Sequence, residues 1–243
     1  MSRVVIAALG AITAASLTVA CESSRMPSSP STSSSEQQVP VSNAGPSAPG
    51  NKASGAEIYM ADLKPLNPHV GYREVSGKAR FQIVNGQFVA ADNATGLQPG
   101  MIHPQHIHAA AVCPPPSADV NGDSFIDVIE GVPFYGPILV PLDTDLTNQP
   151  AGSFPFVHNH GGALQYRETT DINALLADLN VPDPNPADAV VKLNGEPLNL
   201  SGRHVVLHGV ALDTPLPSSV ATLPGLPAQL TLPVACGEIQ RVN

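Results

Sequence analysis

Tryptophan is absent from the 243 residues, cysteine occurs only three times, and charged side chains make up 13%. So little charge excludes a long solvated helix or a coiled coil, which need charged faces along their length. Positive charge is missing altogether between Arg80 and Arg167. That stretch holds Asp92, Asp119, Asp123, Asp127, Glu130, Asp143 and Asp145, and the formal net charge of the chain is −9. A polyanion is repelled by such a field and cations are drawn to it, so nucleic acid is excluded as a partner. What the chain has in quantity is turn formers, 26 Pro and 20 Gly, beside a hydrophobic share of 42%. That share is enough for one core, and it excludes a wholly disordered chain.

The N-terminus reads MSRVVIAALGAITAASLTVAC, one basic residue followed by an apolar run from Val4 to Ala20. This is the pattern of a secretory signal over residues 1–20. The Ala20-Cys21 junction resembles a bacterial lipoprotein signal, in which Cys21 is lipidated and anchors the protein to a membrane facing the periplasm or the cell surface. Residues 21–55 are rich in Ser, Pro, Gly, Asn and Gln, with almost no large apolar side chain. They read as a flexible tether. Export permits disulfides. With Cys21 set aside, Cys113 and Cys236 are the two left to form a bridge.

The folded part is expected over 56–243. Two alternating apolar runs flank Asn85-Gly86 within 75–91, the sequence signal of a β-hairpin. Further strands are expected over 105–112, 203–210 and 229–239, with Pro233 marking an edge or bulge. One short helix is expected over 171–180, where Asp171 caps Ile and Leu residues at helical spacing. Pro-rich segments at 114–116, 182–186 and 214–227 read as loops. The class is all-β, an antiparallel sandwich or barrel with long loop insertions.

Residues 119–130 read DVNGDSFIDVIE. Oxygen-bearing side chains stand at positions 1, 3, 5, 9 and 12: Asp119, Asn121, Asp123, Asp127 and Glu130. Phe125 at position 7 offers its backbone carbonyl. Calcium takes six to eight hard oxygens from such a spacing. The segment resembles the calcium-binding loop of EF-hand proteins, set here between loops rather than helices. Ser124 takes the position that usually holds Gly. A structural calcium ion is the expectation.

Seven of the eight histidines fall in three clusters: His103, His106 and His108; His158 and His160; His204 and His208. On a strand, residues i and i+2 share a face, so His106 and His108 point the same way, as a chelating pair does. Neutral imidazole suits copper or zinc.

Three segments carry a more specific likeness. Residues 95–113, TGLQPGMIHPQHIHAAAVC, have a Gly-Leu-x-Pro-Gly turn, a His, then His-x-His on a strand. GRHVVLH at 202–208 and ACGEI at 235–239 follow in order. Together these are similar to the copper/zinc superoxide dismutase family. The resemblance implies a Greek-key β-barrel, a Cys113–Cys236 disulfide, and copper held by His106, His108, His208 and His160, with His158 as the substitute for His160. It also implies dismutation of superoxide to oxygen and hydrogen peroxide by copper cycling between two oxidation states. The chain departs from the family in two ways. The zinc-bearing loop is replaced by the calcium motif and an insertion, so no complete zinc site can be assembled. The anion-guiding Arg is replaced by Pro233. The alternative function is therefore a non-catalytic copper-binding lipoprotein that buffers the metal.

Overall fold

Asn85 and Gly86 both take positive φ, 50° and 76°, and close a tight two-residue turn. That turn joins β2 (Ser76–Val84) to β3 (Gln87–Thr95), which pair antiparallel along their full length. A computed structural model describes residues 55–70, 74–110, 112–147, 156, 159–181 and 191–243, all within one compact unit over 50–243. The signal segment, Cys21, most of the tether and His158 lie outside the described residues. Among the described residues, no helix is long and apolar enough to cross a membrane.

The remaining strands are β1 (Glu57–Pro65), β4 (Gln105–His108), β5 (Ile138–Pro141), β6 (Ala163–Asp171), β7 (His204–His208), β8 (Pro233–Glu238) and β9 (Gln240–Arg241). Together the nine form one antiparallel sheet in the order β5-β4-β7-β8-β1-β2-β3-β6, with β9 beside β1, curled into a half barrel. The edges approach each other where Tyr166 of β6 donates its hydroxyl to the carbonyl of Asp143, just past β5, at 2.9 Å. Phe81, Phe88, Ile107, Leu139, Leu164, Val205 and Leu207 fill the inside.

The strands expected at 105–112 and 203–210 are shorter in the structure, and 229–239 divides into a helical turn and β8. The register shifts where Pro233 opens β8, because proline has no N–H to give the ladder. The expectation of one short helix is also corrected. There are three among the described residues: α1 (Val128–Tyr135), α2 (Ile172–Asp178) and α3 (Ala228–Thr231). The Asp171 side chain caps α2, as expected. Helix α1 forms despite Pro133 because its start is doubly fixed. Asp127 accepts from the Ile129 and Glu130 amides, and Glu130 reaches back to the Asp127 amide.

The 119–136 segment lies over the outer face of the sheet. Strand alternation sends Val205 and Leu207 into the barrel and His204, Val206 and His208 outward. Val206 packs there with Tyr135, Ile126, Leu66, Ala118 and Cys236 in a second apolar cluster. Cys113 and Cys236 are disulfide-bonded at its margin.

Candidate metal centre

The pairing of β4 with β7 brings the histidine clusters together. His106 lies opposite Val206 and His108 opposite His204, so His106 and His108 share the outward face with His208. All three are buried. Each can offer one ring nitrogen such that the three lie within 4.8 Å of one another. Bonds of 2.0–2.1 Å from three imidazoles to one ion would set the nitrogens about 3.3–3.6 Å apart, so side-chain motions of roughly an ångström bring these three into range.

Hydrogen bonds fix two of the rings. The Nδ1–H of His108 donates to the Gly136 carbonyl at 2.8 Å, and that of His208 to the Thr231 carbonyl at 2.8 Å. In the neutral tautomer this leaves each Nε2 as a bare lone pair. Neither Nε2 has a hydrogen-bond partner, and both are sealed from solvent. Burial holds His108 down to about 3, with the neighbouring His208 adding to the effect. It holds His208 down to about 4. Two orphaned, uncharged acceptors in a dry site are costly unless something binds them. A metal ion fits that donor set, and the geometry leaves its identity open.

Aromatic rings wall the triad. Tyr135 stands edge-on to His108 at 4.6 Å between ring centroids and to His208 at 6.4 Å. Phe156 stands edge-on to His106 at 5.5 Å. His103 backs the triad without joining it, its Nδ1 bonding to the His208 carbonyl at 3.1 Å. His204 is spent on structure, with Nδ1 on the Ala110 carbonyl and Nε2 3.9 Å from the Glu238 carboxylate.

His160, expected as a fourth ligand, is exposed and does not join the three. Gly161 and Gly162, both at positive φ, turn the chain so that His160 and Ala163 exchange backbone hydrogen bonds at 2.8 and 3.0 Å. The two glycines make this turn. Buried Asn159, between the two histidines, pins the turn through the carbonyls of Gln98 and Met101. An Asn inside a His-x-His motif gave no sign of that role.

The 119–130 loop is folded around its own side chains. The Asp119 carboxylate accepts from the amides of Gly122, Asp123 and Ser124, Asn121 from that of Asp123, and Asp123 from that of Phe125. Ser124 takes φ 73°, the left-handed conformation that glycine adopts readily at position 6. Glu130 accepts from the amides of Val120 and Asn121. Most of the acidic oxygens thus face backbone N–H groups, while Asp123 Oδ2 is buried without a hydrogen-bond partner. Among the described residues, no three loop carboxylates converge as the imidazoles do. Asn67 was not foreseen. Its amide pairs with both backbone groups of Ile126, accepting at 2.7 Å and donating at 2.8 Å, and it also donates to the Pro233 carbonyl.

No family model and no curated protein matches the sequence.

Proposed function

We propose that this chain is an exported, superoxide dismutase-like copper protein whose imidazole triad holds the ion. The observation that carries the reading is the convergence of His106, His108 and His208, each from a segment similar to that family, with two bare Nε2 atoms buried between them. The strand order, in which β3 pairs β6 while β4 pairs β5 and β7, agrees with the Greek-key barrel of the resemblance. The Cys113–Cys236 disulfide agrees with an oxidising compartment and supports export, with Cys21 as the lipid anchor. Bound copper supplies one-electron redox chemistry. The chain's own residues hold the imidazoles neutral and oriented, through the Gly136 and Thr231 carbonyls, and exclude water through Tyr135 and Phe156.

Holding copper is favoured over turning over superoxide, because the triad nitrogens are closed to solvent. Dismutation is the second reading, favoured by the order of the three motifs along the chain. The 119–130 loop is proposed to take a structural calcium ion, its carboxylates turning from backbone amides to the cation. Copper titration of the purified domain, followed by a superoxide-consumption assay, separates these readings. Stoichiometric binding without consumption supports the copper-holding protein. Rapid consumption supports the dismutase. Absence of binding refutes both.

A further inference from the structure

Arg80 and Arg167 bound the stretch of chain that holds no positive charge, and the sheet brings these two ends together. Arg80 of β2 pairs with Ala91 of β3, and Ala91 pairs with Arg167 of β6. Alternation turns Phe81, Ala90 and Tyr166 into the barrel, so both arginines and Ala91 stand in one row on its outer face. Two strand spacings set the arginine backbones about 9.5 Å apart, with only a methyl group between them. Both side chains are exposed, and neither has an acidic partner among the described residues. The next row holds Lys78, Asn93 and Gln165, all exposed. A shallow trough of about 450 Å³ runs over the β3–β6 pairing, with Ala91, Asn93, Thr95, Gln165 and Arg167 in its lining. Nearby acids are engaged. Asp62 pairs with Lys78, and Asp171, the acidic outward residue of these three strands, caps α2. Asp92 and Asp143 are buried, and Asp145 is held by Thr147. The 119–130 loop lies over the outer face at β7, four strands away in the sheet. That is about 19 Å along the sheet, beyond the roughly 8 Å over which salt screens a charge.

We propose that this face of β2, β3 and β6 binds a short acidic oligosaccharide of the uronate kind. The guanidinium groups of Arg80 and Arg167 hold its carboxylates, and Asn93 and Gln165 hold its hydroxyls. A guanidinium presents a rigid fork of donors that matches a planar carboxylate, so two forks in one row select two acidic groups on one molecule. The amide side chains both donate and accept, which is what a sugar hydroxyl requires. Ala91 leaves the row open between the forks, and the trough has the size of a small-molecule site. Charge decides the length of the ligand. A bilayer or a nucleic acid would also meet the rest of a chain whose net charge is −9, and be repelled by it. A few sugar units meet only the two arginines and their neighbours. The site shares no residue with the imidazole triad and stands apart from any metal bound there.

The test is calorimetric titration of the purified full chain with tetragalacturonate in calcium-free buffer. The methyl ester of the same tetramer, which keeps the sugars and removes the charge, is titrated beside it. Saturable binding of the acid is expected, weakened by salt and at least about tenfold tighter than that of the ester. Arg80→Gln and Arg167→Gln each lower the affinity roughly tenfold or more, as loss of a charge-assisted hydrogen bond does. Ala91→Leu fills the trough, keeps both charges and lowers the affinity as well. Arg241→Gln, an equal loss of charge on β9, leaves it unchanged. Arg80→Lys and Arg167→Lys, which keep the charge without the fork, stand in if a glutamine variant does not fold, and they also bind more weakly than the wild type. Absence of saturable binding, or an ester bound as tightly as the acid, overturns the proposal. So does wild-type affinity in any of the trough variants, or an equal loss in Arg241→Gln. Phosphatidylglycerol vesicles that bind the chain and compete with the tetramer overturn it in favour of a membrane surface.

Discussion

The Nδ1–H of His108 is held by the carbonyl of Gly136, 28 residues further along the chain, at 2.8 Å. Gly136 closes α1 at φ 78°, and a Cβ there would stand 2.7 Å from the Cβ and amide nitrogen of Ala110. One glycine thus lets the helix end close against the chain just past β4 and aims an imidazole of the candidate metal site. The calcium-like loop, α1 and the triad are therefore consecutive parts of one assembly on the outer face of the sheet.

Asn67 is the tie between that assembly and the strands beneath it. It is buried, sits at φ 52°, and makes three hydrogen bonds to backbone groups of Ile126 and Pro233. Asn67→Ala leaves those buried groups unpaired and should cost about 2–3 kcal/mol in urea denaturation. A loss within ±0.5 kcal/mol would show that the tie is dispensable.

Asp92 predicts a pH dependence of unusual sign. Its side chain points into the barrel, facing Tyr166 on β6, and neither carboxylate oxygen has a hydrogen-bond partner. Burial pushes its pKa up to about 8. The unfolded chain releases that proton near pH 4, so the folded chain holds a proton the unfolded chain lacks between about pH 4 and 8. This contribution to stability is complete below pH 4 and declines as pH rises toward 8, by up to about 1.4 kcal/mol per unit. Asp92→Asn should flatten that slope and be the more stable chain at pH 8. Identical pH profiles for the two proteins would contradict this.

The loop at 119–130 predicts a calcium-dependent melting temperature. Calcium at a hundredfold excess over its Kd adds about 2.7 kcal/mol to the folded state. EGTA should lower the melting temperature of the wild type, whereas Glu130→Gln should melt alike with and without it. A wild-type melt that EGTA leaves unchanged removes calcium from the account.

Legibility in the sequence followed the range of the interactions. The hairpin at Asn85-Gly86 and the cap at Asp171 are set by neighbouring residues and were readable locally. His106 and His108 were readable as a pair from strand alternation, and His208 joined them through the family resemblance. Helix α1 was hidden because Pro133 reads as a breaker, while the Asp127–Glu130 capping box is strong enough to start the helix ahead of it. His160 stands outside the three imidazoles in the structure: Gly161-Gly162 fits both a close metal approach and a tight turn, and here it makes the turn in which His160 exchanges backbone bonds with Ala163. Asn67 and Tyr135 left no local trace. Asn67 reaches Ile126 across 59 positions, and Tyr135 meets His208 only once α1 has folded over the sheet.

The central claim is that His106, His108 and His208 hold copper. Elemental analysis of the protein purified from its native compartment tests it most directly, run beside the His108→Ala and His208→Ala variants. The account predicts close to one copper per wild-type chain and almost none in either variant. Wild-type protein without copper, or variants that retain as much as the wild type, would contradict it.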